Sequence, residues 1–231
     1  AALRLEPESS LTHLNLGNAL ERQGKLKEAV HHYTEALRIV PTYARAHTNL
    51  GLALAKQGRY DEALEHHTEA LRIEPGFAEA HNNLANVLAR QGKFEAAEQH
   101  FSEALRLNPG YAKAHTNFGI ALAIQKRFDE ALHHFGEALR LQPNSAKAHA
   151  NLAGLLLQQG KVQDAELHYT EAIRLEPNYK NAHLRLSIVL ASQGEFDRAK
   201  YHVSEVLRLD PGHKAAQQIL ERIQDLDRSS P

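Results

Sequence analysis

The residues best suited to chemistry in this 231-residue chain are its 16 histidines and a set of evenly spaced asparagines. His13, His47, His81, His115, His149 and His183 lie 34 apart, as do His32, His66, His100, His134, His168 and His202. Metal binding would need two or three of these imidazoles to converge within about 2 Å of one ion. The neighbouring pairs His31–His32, His66–His67 and His133–His134 diverge by about 100° on a helix and do not converge locally. The histidines are therefore read as flat packing residues, and no metal or other cofactor is expected. Asn15, Asn49, Asn83, Asn117 and Asn151 keep the same 34-residue interval, with Arg185 in the sixth place. A carboxamide carries both donor and acceptor, so it can hold the C=O and N–H of a peptide group without reading side chains. Five in register would form a ladder for an extended backbone.

Catalysis finds no support. There is no phosphate loop and no serine or cysteine nucleophile signature. The recurring carboxylates, Glu35 with Arg38 through Glu205 with Arg208, are i,i+3 pairs worth about 0.2–0.5 kcal/mol each and read as solvated struts. With no Cys, thiol catalysis, disulfides and iron–sulfur sites are excluded. Lys and Arg number 27 against 28 Asp and Glu, a formal charge of −1, which argues against a general nucleic-acid or anionic-membrane binder. No apolar run approaches the ~18 residues of a membrane span, so no direct membrane insertion is expected. The N-terminus lacks the build of a signal peptide, and without a Met, Ala1 reads as a processed or excised start.

These ladders require elements that repeat with them. Pro7, Pro41, Pro75, Pro109, Pro143, Pro177 and Pro211 are each 34 apart. With Ser10 as position 1, each unit begins with a helix whose apolar or small positions are 4, 7, 8 and 11 (His13, Leu16, Gly17 and Leu20). Gly24, Gly58, Gly92, Gly160 and Gly194 then occupy position 15, where a turn wants positive φ; Lys126 replaces that Gly in the fourth unit. A second helix follows with apolar positions 17, 20, 24 and 27, and the Pro at position 32 ends it. Neither amphipathic helix buries its face alone, so the pairs must stack. Thirteen of the fourteen aromatics sit at positions 7, 17, 24 or 34, Tyr201 being the exception. They belong to the core, which leaves no stacking platform for single-stranded nucleic acid.

A 34-residue unit of the form His-x-Asn-Leu-Gly-x-x-Leu, then Gly, Ala, Tyr or Phe, Ala and Pro, resembles the tetratricopeptide repeat over all six units. The resemblance implies an all-α fold, a right-handed α-solenoid of stacked antiparallel helix pairs with the first helices lining a concave surface. Six repeats are placed at 10–43, 44–77, 78–111, 112–145, 146–179 and 180–213. Residues 1–9 read as the end of a preceding repeat, and 214–231 as a C-terminal capping helix and tail. In that helix Gln217, Glu221 and Gln224 replace the packing residues of positions 4, 8 and 11, giving the polar outer face a terminal helix needs. The N-terminus therefore reads as cut and the C-terminus as natural.

On the implied concave face, the asparagines at position 6 are similar to those of the recruiting domain of O-linked N-acetylglucosamine transferase. Asn18, Asn82 and Asn86 add carboxamides nearby. Arg22, Arg45, Lys56, Arg90, Lys113, Lys147 and Arg185 face Glu21 and Glu79, an excess that would steer acidic or polar segments inward. Position 5 reads Leu14, Thr48, Asn82, Thr116, Ala150 and Leu184, so the basic carboxylate clamp of chaperone-type arrays is absent. The expected function is a non-catalytic protein–protein interaction scaffold binding an extended peptide or flexible segment, polar or acidic, in its groove. The alternative is the substrate-recruiting or assembly domain of a larger enzyme such as a glycosyltransferase. A third reading is self-association through the open N-terminal half-repeat.

Overall fold

The computed structural model describes residues 9–229, and among them it has thirteen helices and no strand. The first helices of the six repeats are α1 (Ser10–Arg22), α3 (Ala44–Lys56), α5 (Ala78–Arg90), α7 (Ala112–Ile124), α9 (Ala146–Gln158) and α11 (Lys180–Ser192). The second helices are α2 (Leu26–Ile39), α4 (Tyr60–Ile73), α6 (Phe94–Leu107), α8 (Phe128–Leu141), α10 (Val162–Leu175) and α12 (Phe196–Leu209), and α13 (Lys214–Ser229) closes the series. The chain packs as two units, one through Ala121 and one from Leu122 onward. In the first, α1 pairs with α2, α3 with α4 and α5 with α6, and α2 and α4 pack onto the next pair. In the second, α9 pairs with α10 and α11 with α12, and α13 packs on α12 and α11. The fold is an all-α stack of helix pairs. The half-repeat read in the first residues lies outside the described residues.

The turn inside each repeat is set by one backbone conformation. Gly24, Gly58, Gly92, Gly160 and Gly194 take φ of 74° to 81°. This lets the very next amide reach back into the finished helix: Lys25 N–H donates to Leu20 C=O at 3.0 Å, and Lys93 N–H to Leu88 C=O at 2.9 Å. That closure satisfies carbonyls a helix end leaves orphaned. Lys126 adopts φ 63° to make the same turn, with Arg127 N–H on Leu122 C=O at 3.0 Å. A left-handed conformation costs a side-chain-bearing residue about 1–2 kcal/mol, part of which glycine loses again through unfolded-state entropy. Lys126→Gly is therefore expected to stabilise the chain by about 0.5–1 kcal/mol, read as a higher urea midpoint at unchanged slope. An unmoved or lower midpoint would show that the turn carries no strain.

Between repeats the chain turns at proline. Val40 C=O accepts Tyr43 N–H at 3.2 Å, placing Pro41 where a β-turn prefers its fixed φ. The core forms where second helices lie on first helices. Ala29, Tyr33 and Ala36 of α2 are fully buried, as are Ala97, Phe101 and Ala104 of α6. Tyr33 needs Gly17 beneath it, because a Cβ there would stand 2.5 Å from its ring, and Gly51 leaves the same space for His67. All six position-26 and position-29 pairs form, with N–O distances of 2.7–2.9 Å on exposed faces.

Candidate functional site

Apart from these buried ring positions, each first helix groups positions 2, 6, 9 and 13 on one face. At about 100° per residue the four share a sector about 60° wide, a single stripe along the helix. Arg22, Arg45, Lys56, Arg90 and Lys113 are exposed in the first unit, and Lys147 and Arg185 in the second. Lys56 gives its ammonium to Glu21 at 2.7 Å, so that pair contributes no free charge. Glu79 is half-buried at the position-2 place of α5.

The asparagines are not five equal rungs. Asn15 is exposed, Asn49 and Asn151 are half-buried, and Asn83 and Asn117 are only 4% and 9% exposed. Asn49 Nδ2 donates to Asn18 Oδ1 at 2.8 Å, and the Tyr33 hydroxyl lies 2.9 Å from the same oxygen and 2.8 Å from Glu21 Oε2. Asn49, Asn18, Tyr33, Glu21 and Lys56 thus form one polar chain across two repeats. Burial first, then the hydrogen bond to Glu21, pushes the Tyr33 hydroxyl pKa well above its usual value. A second chain joins the third and fourth repeats: Asn117 Nδ2 donates to Asn82 Oδ1 at 3.0 Å, and Asn82 Nδ2 to Asn83 Oδ1 at 3.1 Å. Asn82 is fully buried and so supports its neighbours without meeting solvent. Enclosed Asn83 Nδ2 and Asn151 Nδ2 have no hydrogen-bond partner. Asn86 is half-buried on the stripe.

The histidines are more than packing. In each described pair a position-4 imidazole meets the position-23 imidazole of its own repeat, Nδ1 to Nδ1. The distances are 3.0 Å for His13–His32 and His47–His66, and 2.9 Å for His81–His100, His149–His168 and His183–His202. In four of these pairs the position-4 Nε2 also lies 3.0 Å from the carbonyl oxygen of Pro41, Pro75, Pro143 or Pro177, six residues earlier. A carbonyl only accepts, so that Nε2 carries a proton and the neutral ring's Nδ1 presents its lone pair. Burial first, then the facing imidazole, lowers the pKa values of His66, His100 and His168, and takes His202 down to about 4. The sequence signal was available in the constant 19-residue offset between the two ladders. Only the hairpin geometry turns that offset into a contact. His67 is a separate case: fully buried, both nitrogens unpartnered, its pKa pushed down by desolvation to about 3.

Residues 2–223 match the model of the cilia and flagella-associated protein 70 C-terminal domain, a tetratricopeptide-repeat family. The chain belongs to that family. Its fold is shared with a chain of the APC/C hetero-tetramer Cut9–Hcn1, at 21% identity and a TM-score of 0.87, over 96% of this chain and 44% of that one. This chain thus spans less than half the length of that relative. PilF of Pseudomonas aeruginosa is similar at 23% identity and a TM-score of 0.75, over 94% of this chain and 98% of that one. YrrB, a tetratricopeptide-repeat protein with an unusual peptide-binding site, is 25% identical with a TM-score of 0.53, over 78% of this chain and 93% of that one. No curated protein matches the chain. No helix among the described residues is long and apolar enough to cross a membrane.

Proposed function

We propose that this family member is a non-catalytic protein-interaction scaffold whose first unit holds an extended, polar or acidic segment across α1, α3, α5 and α7. The observation that carries the reading is the stripe itself. Asn15, Arg22, Arg45, Arg90 and Lys113 face solvent on helices otherwise committed to packing, and these four cations have no ion pair among the described residues. The peptide-binding site named for YrrB supports it. Helices packed about 8–10 Å apart, against a rise of about 3.3 Å per extended residue, would let each stripe meet roughly every third residue of a bound segment. Asn15 and Asn49 would take its backbone, and Arg90 and Lys113 its charge. Asn83 and Asn117 would hold the neighbouring helices in register, with Asn83 Nδ2 left as a donor. In the second unit, taken by itself, Asn151, Lys147 and Arg185 would offer the same chemistry.

The test uses three fluorescein-labelled 12-residue peptides of alternating Ser with Glu, Gly or Lys. Fluorescence anisotropy should rank the acidic peptide first, with affinity falling as salt rises from 50 to 500 mM. Reversing Arg90 and Lys113 to Glu should lower the association rate more than it raises dissociation. Asn15→Ala with Asn49→Ala should weaken binding about tenfold or more, since a peptide group loses its partner. Equal binding of all three peptides, insensitive to these changes, overturns the reading.

A further inference from the structure

We infer that the cleft between α11 and α13 is a socket for one large aliphatic side chain of an extended acidic protein segment, a carboxylate of which pairs with Arg222. The cleft holds 250 Å³; Ile188 and Ser192 of α11 line it, with Ile219, Arg222, Ile223 and Leu226 of α13. Ile223 is 2% exposed and closes the floor, whereas Ile188 and Leu226 are 43% and 42% exposed and flank the opening. This is less than the roughly 300–1,000 Å³ of a small-molecule pocket and suits a single side chain. On α13, Gln217, Glu221 and Gln224 at positions 4, 8 and 11 are all exposed, the polar face of a terminal helix. Its positions 6 and 13 instead carry Ile219 and Leu226, where α1, α3 and α5 carry Asn15, Asn49 and Asn83 and then Arg22, Lys56 and Arg90. Three aliphatics gathered round one opening, on a helix largely polar toward solvent, mark a surface that is covered in use.

The charge on this face names the occupant. Arg222 is exposed, as is Arg185 on α11, one turn before Ile188, and neither makes an ion pair among the described residues. Glu221 and Asp225 stand about 100° and 60° round the helix from Arg222, on the side away from the stripe. Asp227 is bound by Lys200. No carboxylate of the described residues lines the cleft. The Arg222 guanidinium can therefore take an incoming carboxylate in a bidentate pair. Ser192 gives its hydroxyl hydrogen to Val189 C=O at 2.6 Å, so its oxygen offers only lone pairs, an acceptor for a peptide N–H. In an extended segment, residues two apart share a face and lie about 6.6 Å from one another. A leucine in the cleft thus brings a glutamate two places along within reach of Arg222, whose neighbours on the same helix face are Ile219 and Leu226. The site lies wholly in the second unit and stands whether or not the first unit holds a segment.

The experiment titrates the full chain, labelled at its isoleucine methyls, with capped nine-residue peptides and follows the methyl NMR signals. A peptide of Gly and Ser with a central Leu and a Glu two places to either side should shift Ile188, Ile219 and Ile223 and leave Ile39 and Ile73 unmoved. Replacing that Leu by Ser should weaken binding about tenfold or more, the loss of an anchor from its pocket. Replacing both Glu by Lys should weaken it by about as much. Arg222→Glu, at an exposed place, should transfer the preference to the Lys peptide. Reversing Arg90 and Lys113 to Glu should leave the shifts unchanged, which separates this site from the one proposed in the first unit. The wild-type shifts decide the matter even if a variant does not fold. Equal shifts from the Leu and Ser peptides, shifts spread over all isoleucines, or an unchanged preference in Arg222→Glu overturns the assignment. So do shifts of the same three isoleucines on concentrating the protein without peptide, which would put a second copy in the cleft.

Discussion

Phe101→Ala should cost about 3–5 kcal/mol, the range for emptying a fully buried aromatic site. Phe101 is 0% exposed on α6 and stacks on Phe118 of α7, with ring centroids 5.2 Å apart and planes 15° from parallel. The pair couples one repeat's second helix to the next repeat's first helix, so the loss includes the aromatic contact, about 0.5–1.5 kcal/mol beyond area alone. In an array whose units touch only their neighbours, such a loss divides the stack where it falls. Hydrogen exchange should therefore lose protection first in α5, α6 and the part of α7 up to Ala121, with α1 and α2 least affected. Uniform loss across the first unit would show that it opens as one cooperative block.

Acid should destabilise the chain, with His67 the largest single cause. In the unfolded chain an imidazole titrates near 6.5, whereas His67 is held at about 3 by burial. Below pH 6.5 the unfolded state therefore binds more protons than the folded one. Stability is full above that pH and falls as pH drops toward 3. At about 1.36 kcal/mol per pH unit, His67 alone should cost about 2 kcal/mol by pH 5. His202, held at about 4, and the lowered His32, His66, His100 and His168 act in the same direction. The carboxylates of Glu69, Glu103 and Glu171, lowered by their arginines, begin to matter only below about 4.5. His67→Phe tests the assignment, because the corresponding places hold Phe101 and Phe135, both buried. Removing two unpartnered buried nitrogens should raise stability by about 1–3 kcal/mol at neutral pH and flatten its slope between pH 6.5 and 5. Urea unfolding at several pH values measures both, and an unchanged slope removes His67 from the account.

Helix positions were legible because glycine, proline and apolar spacing each report them independently. Even the exceptional Lys126 adopts the positive φ that its place demands. The Glu35–Arg38 type of pair could be read too, since both partners lie on one helix. What could not be read depends on neighbours in space. Asn83 and Asn49 occupy the same place in the repeat, yet one is enclosed beside Asn82 and the other reaches back to Asn18. Asn82 on Asn83's own helix, itself held by Asn117 of the next first helix, and Asn18 on the first helix before Asn49's set that difference. The expectation that histidines only pack followed from comparing neighbours along one helix, whereas the contacts join residues 19 apart across the turn.

The bond from the position-4 imidazole to the proline carbonyl six residues earlier, made by His47, His81, His149 and His183, has an evolutionary corollary. These four junctions are built from the same two places in the repeat, with the same intervening length, so the parts are interchangeable. Excising residues 78–111 would bring His115 six residues after Pro75, restoring the spacing that His81 has now. Gene segments of this length can be lost or duplicated without inventing a new joint, so the array can change its reach while each joint keeps its design.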